Sequence, residues 1–178
     1  MSNSLYQSSI SVFIRYLDNL SALLNIGLSH ANDQNQEIDE ATLISFQLFP
    51  DMHPFAKQVQ VACDMVKLCG GRFAQVTPAT DEDIEATFAE LQSRIERTKA
   101  FLQSLPEDTI NSAENRRFVI PAGPYELTFT GTEYLNLWVL PNMFFHITTA
   151  YNIMRHNAVP VGKIDYLGVN AFVTKAPE

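Results

Sequence analysis

From Tyr6 onward the apolar residues fall at Tyr6, Ile10, Phe13, Leu17, Leu20 and Leu24, in alternating steps of four and three. That spacing is the seam of a helix that faces a core, and it predicts a helix over residues 4 to 29. The pattern stops after Leu28, so His30 to Gln36 reads as an exposed loop, with His30 solvated or capping. A short helix is expected within Asp39 to Leu48, ended by Pro50. A second long helix is predicted over 51 to 75, with Asp51 as its N-cap and Pro54 in its first turn, where the missing N–H costs nothing. Its seam is Phe55, Val59, Ala62, Val66 and Phe73, and Gly70 and Gly71 loosen its end. A third is predicted over 80 to 105. Thr80 with Asp83 makes a capping-box start, and Ile84, Phe88, Leu91, Ile95, Thr98, Leu102 and Leu105 form the seam. The opposite face, with Glu85, Glu90, Arg94, Glu96, Arg97 and Lys99, reads as solvated surface.

Pro106 ends that helix and the period changes. Arg117 to Ile120 and Tyr125 to Thr130 are β-rich runs around Pro121 to Pro124, which predicts a small hairpin. Thr132 caps a short helical stretch that leads to Pro141, where a fourth long helix begins and runs to Asn157. The expected fold class is all-α: a four-helix bundle with a long connection that carries the hairpin, forming one domain over residues 1 to 178. Phe13, Val59, Leu91 and Phe145 are expected to share its core.

Charge and cysteines narrow the function. Twelve basic against twenty acidic residues give a net charge of −8, which opposes attraction to phosphate backbones and anionic membranes. Nucleic acid is excluded as the expected partner. No run of eighteen apolar residues and no basic-then-apolar leader occurs, so no membrane association and a cytoplasmic location are expected. Cys63 and Cys69 are six apart, about 120° around a helix, which rules out a mutual disulfide and predicts two buried, inert thiols.

Candidate chemistry concentrates in the last helix. Asn142, His146, Thr149, Ala150 and Ile153 lie on one stripe, and Phe145, Thr148 and Asn152 on the next. A polar histidine beside aromatic residues marks a pocket around His146, with Asn142 one turn before it and Tyr151 nearby; His53, in the first turn of the second helix, reads first as solvent-facing, with a place in that pocket as the alternative. Arg155 and His156 suit the negative end of the helix dipole. Lys163 and Asp165 are placed to pair across a turn, and a tail folding back past Tyr166 would cover the pocket. No G-x-S-x-G elbow occurs, and neither cysteine has a histidine near it in sequence.

The C-terminal run NMFFHITTAYNIMRHNAVPVGKIDYLG, with PDMHPFAKQVQVACD, TFAELQSRIERTKAFL and FTGTEYL, resembles an uncharacterised protein family of the DinB/YfiT-like superfamily over nearly the whole chain. The resemblance implies a four-helix bundle, often dimeric. Many members hold a divalent metal with one histidine on the second helix and an H-x-x-x-H pair on the last, and some are thiol-dependent transferases. When RHNAVPVG is laid on the Leu-Arg-x-x-Gly-x-x-x-Pro tail that follows that pair, His146 takes the second histidine position and Asn142 the first. If His146 is instead the first, Ala150 stands at the second, so the pair is broken in either register. The implied ligand set for zinc or nickel is therefore His53, Asn142 and His146, in which the amide is a weak ligand.

Three functions are expected in competition. The first is a small-molecule-binding bundle with a degenerate metal site. The second is a divalent-metal-dependent transferase or hydrolase, and the third a structural homodimer with a vestigial pocket. Apolar surplus near Trp138 and Phe144 supports a homodimer.

Overall fold

The computed structural model describes residues 4–34 and 38–168. The chain opens with α1 (Leu5–Ser8) and α2 (Ile10–Ala31), followed by α3 (Glu40–Ser45), α4 (Phe55–Ala74), α5 (Phe88–Gln103) and α6 (Glu107–Asn111). The hairpin β1 (Arg117–Ala122) and β2 (Tyr125–Thr130) comes next. It leads through α7 (Gly131–Glu133) and a π-helical segment (Tyr134–Val139) into α8 (Leu140–His156), with α9 (Lys163–Leu167) last.

Helices α2, α4, α5 and α8 make the bundle, with α4 packed along both α5 and α8 and α2 closing against α5. Their apolar stripes meet in one continuous core that includes Phe13, Val59 and Leu91, all fully buried. Phe145 does not join them: it is 57% exposed, and Met143, Ile147, Ala150, Ile153 and Met154 supply the core face of α8. Residue 145 falls about 160° around the helix from both Met143 and Ile147, so once those two face inward the Phe145 ring must face out.

Several boundaries differ from the sequence pattern, each for a local reason. Helix α2 runs through His30 to Ala31, and His30 is buried in its last turn instead of sitting in a solvated loop. Asp51 caps nothing. Pro54 is extended and Phe55 is the first residue of α4, because a proline disfavours helical geometry at the residue before it. Gly70 and Gly71 do not loosen that helix: they lie inside it, and a Cβ at Gly70 would come within 2.8 Å of Leu102 and Leu105.

Helix α5 starts at Phe88, not at residue 80. Its capping box is Thr87 with Glu90: the Glu90 amide donates to Thr87 Oγ1 over 3.2 Å, and the Glu90 carboxylate accepts from the Thr87 amide over 3.0 Å. The acidic residues before it serve ion pairs. Asp81 binds Lys67 and Arg97, Asp83 binds Lys57 and Arg94, and Glu85 binds Arg94. Arg94, expected on the solvated face, is fully buried at the centre of this network. Ile84, expected in the seam, is 75% exposed.

The hairpin is antiparallel, from Arg117 opposite Thr130 to Ala122 opposite Tyr125. Gly123, at a φ of 61°, and Pro124 make its two-residue turn, where a positive φ matches the turn to the strand twist. Phe118 and Ile120 point inward, and Phe118 stacks on the buried Tyr134 at 5.7 Å between centroids. The fourth long helix does not begin at Pro141, because the chain is already helical from Gly131. Pro141 has no N–H for the carbonyl four residues back, and the π-helical turn just before it takes up that mismatch.

Candidate functional site

The polar centre of the bundle lies between α4 and α8. Nδ1 of His146 is 2.7 Å from Oε1 of Gln58, and Nε2 of Gln58 donates to the backbone carbonyl of His53 over 2.9 Å. Gln58 is almost fully enclosed and His146 is nine-tenths buried. The register of α4 places Gln58 here, one turn after Phe55 and beside Val59 on the seam. Sequence reasoning missed Gln58; the signal was a polar side chain sitting among the buried positions of an otherwise apolar stripe.

The other expected site residues are distributed around this pair. His53 is exposed in the loop before α4, not in a helical turn, and only its carbonyl enters the hydrogen-bond chain. Asn142 turns back on its own helix, its Nδ2 donating to the Trp138 carbonyl over 2.6 Å. Tyr151 faces α9 and packs edge-on against Tyr166 at 5.9 Å. With Thr148, Asn152, Lys163 and Tyr166 it lines a shallow depression of about 220 Å³ on that side of α8. The structure thus joins His146 to the His53 loop through Gln58, while the Asn142 amide bonds to its own helix and the Tyr151 ring packs on α9.

The C-terminal elements also depart from expectation. The Asp165 carboxylate accepts from the Gly162 amide over 2.7 Å, while Lys163 is exposed. Helix α9 rests on α2, where Asn19 Nδ2 donates to the Tyr166 carbonyl over 3.1 Å. The Tyr166 hydroxyl meets Thr148 Oγ1 at 3.1 Å. A covering tail beyond residue 168 lies outside the described residues. Arg155 and His156 occupy the last turn of α8 as expected.

The donor set does not fit a three-histidine metal centre. His146 has only Nε2 left for a ligand bond, position 142 holds an amide committed to the helix and position 150 an alanine. Among the described residues no group of three or more His, Cys, Asp or Glu side chains is placed to hold a metal ion. Cys63 and Cys69 are both buried. Burial pushes the Cys63 thiol up to about 12 and raises Cys69 well above its ordinary value, which keeps both as unreactive thiols. A larger cleft of about 360 Å³ runs between residues 80–85 and α5, but Asp81, Glu85 and Arg97 on its walls already pair with one another or with Lys67 and Arg94.

Electrostatics at His146 have a measurable consequence. Burial first, then the neighbouring charge of His53, lower its pKa to about 4. An unfolded histidine takes up its proton near about pH 6.5. Between those values the unfolded chain binds the extra proton, so stability is expected to fall as pH drops from about 6.5 toward 4. Two carboxylates act at lower pH. The Lys57 hydrogen bond holds Asp83 below the usual carboxylate range. Burial pushes Asp81 up, but Lys67 and Arg97 outweigh it and leave its pKa lowered. Their contribution is present above about pH 4 and is lost below it. Urea titrations of wild type and His146→Gln at pH 7 and pH 5 test the upper window. The variant should lack the loss seen in wild type, whereas parallel losses would show that His146 is not held neutral.

A bundle of this topology, with a hairpin feeding the last long helix, is of the DinB-like kind. The chain belongs to the family described as a domain of unknown function, DUF1993, whose model matches residues 5–167. It is 34% identical to a solved structure described as a DinB family member protein from Shewanella denitrificans. The superposition covers 97% of this chain and 96% of that one, with a TM-score of 0.85. No curated protein matches the chain significantly.

Proposed function

We propose that this DinB-like protein binds a small molecule at His146, and that the metal site of its superfamily is degenerate here. One observation carries the reading: the Gln58 hydrogen bond fixes a neutral His146 imidazole in place, with one ring nitrogen unengaged beside the exposed Phe145 ring. The competing reading, a metal-dependent transferase or hydrolase, needs a third strong ligand that neither Asn142 nor Ala150 supplies. A thermal-shift panel of small molecules on wild type and His146→Ala tests the proposal. Ligands that raise the wild-type midpoint should leave the variant unmoved, with helicity unchanged by circular dichroism. Stoichiometric zinc or nickel at submicromolar affinity, lost in both His53→Ala and His146→Ala, would favour the enzyme reading instead.

A cytoplasmic location accords with two facts: among the described residues no helix is long and apolar enough to cross a membrane, and the net charge is −8. A homodimer is also proposed. Trp138 and Phe144 are partly covered within the chain, by Phe129 and Tyr16. The apolar surface left includes Leu137, 65% exposed, and Phe145, about two turns further along the chain, which a second copy would cover. Light scattering at micromolar concentration should give a dimer mass, and Leu137→Glu with Phe145→Glu a monomer. A monomeric wild type would rule this out.

A further inference from the structure

Building on the binding role proposed for His146, we infer that the site selects a neutral ligand presenting a hydrogen-bond donor, a hydroxyl or an uncharged N–H, to Nε2 of His146, and rejects carboxylates and phosphates. The argument rests on which atoms can donate. The carbonyl of His53 only accepts, so the Gln58 group 2.9 Å from it must be the NH2. The other end of the amide, Oε1, then faces Nδ1 of His146 at 2.7 Å, and an oxygen there requires Nδ1 to carry the proton. A neutral imidazole has a single N–H, so Nε2 presents a lone pair.

That lone pair is unengaged. Nε2 has no hydrogen-bond partner among the described residues, and it is not completely buried: the sole fully buried, unpartnered side-chain nitrogen or oxygen found among them is Nε of Arg94. Gln58 is 1% exposed, which keeps its remaining amide hydrogen out of a ligand's reach. The polar valence offered outward at this point is therefore an acceptor. An ionised carboxylate or a phosphate monoester dianion brings only acceptors and would leave both partners unpaired at a nearly buried atom, at a cost no hydrogen bond offsets. The Phe145 ring, edge-on to His146 at 5.3 Å, adds an apolar wall suited to an aromatic or hydrocarbon body.

The test uses the full chain and three ring compounds of similar size: phenol, which donates; anisole, which only accepts; and benzoate, which is anionic. Titrations at pH 7, followed by the ring nitrogen resonances of 15N-histidine-labelled protein, should show phenol bound at least about tenfold tighter than either of the others. The unliganded His146 should show a protonated Nδ1 and a bare Nε2. Anisole or benzoate binding as tightly as phenol, or a protonated Nε2 in the free protein, would overturn the donor preference and leave the binding role standing. No response of His146 to any of the three would overturn the binding role itself, and the preference with it. Gln58→Met keeps the side-chain length and removes both amide groups. In that variant, shown to be folded by its melting curve, the preference for phenol over anisole should collapse, and its persistence would show that Gln58 does not set the tautomer. The wild-type resonances decide the tautomer even if the variant fails to fold.

Discussion

Replacing Arg94 with methionine is expected to destabilise the protein by about 3–5 kcal/mol, the cost of leaving the buried Glu85 carboxylate, with the partly exposed Asp64 and Asp83 beside it, without its cation. The Arg94 side chain is fully enclosed. Its Nη2 lies 2.8 Å from Asp64 and 3.1 Å from Asp83, and its Nη1 lies 3.1 Å from Glu85 and donates to the Glu82 carbonyl over 3.2 Å. Burial alone would favour loss of its proton, but Asp64 and Glu85 outweigh it and hold the group charged. Through these contacts one side chain of α5 fastens the whole segment before that helix to α4. Urea denaturation of Arg94→Met and of Arg94→Met with Glu85→Gln measures the effect. The second change should recover part of the loss, because Glu85, with only 6% of its side chain exposed, no longer carries an unpaired charge. A loss below about 1 kcal/mol in the single variant would place Arg94 among ordinary surface ion pairs.

The second large effect is apolar. Phe88→Ala is expected to cost about 3–5 kcal/mol, since it removes a fully buried ring at the junction of α2, α4 and α5. The ring packs edge-on against Phe55 at 5.6 Å, and a Cβ placed at Gly27 would stand 2.9 Å from its tip. Gly27 is therefore a space requirement of Phe88. Gly27→Ala in the wild-type background should be destabilising by about 1–3 kcal/mol, from overpacking. In the Phe88→Leu background much of that penalty should vanish, although Met154 also stands 2.9 Å away and must shift. Additive effects in the double variant would show that the two positions do not share this space.

These two sites differ in how legible they were. Phe88 lay on a four-and-three seam and was read as core from the spacing alone, as were Phe13, Val59 and Leu91. Arg94 stood three residues after Leu91 and four before Thr98, on the edge of the same stripe, yet its charge placed it on the solvated face. Charge is a sound guide to exposure only when no counter-charges wait inside, and Asp64, Asp83 and Glu85 lie 30, 11 and 9 positions away. The same network explains why α5 starts late. Thr80 and Asp83 carry a capping pattern, but Asp83 gains more from Lys57 and Arg94 than from capping a helix end.

The four long helices, the hairpin, the buried cysteines and the family were legible in the linear chain, because they follow from periodicity, turn residues and local motifs. The sequence also singled out His146, since a histidine on an apolar helix stands out without any knowledge of its neighbours. What His146 bonds to emerges only from the tertiary structure. Its partner Gln58 lies 88 positions earlier, and the tautomer depends on a carbonyl in yet another segment, at His53. Tyr151 and Asn142 share its helix and were expected at its site; the rotation of α8 that buries Met143 and Ile147 turns Tyr151 to α9, and Asn142 bonds to its own backbone. Hydrophobic spacing fixes which face of a helix turns inward, while the identity of the polar groups that meet there is set by how separate helices register against one another, and that register depends on contacts distant in the chain.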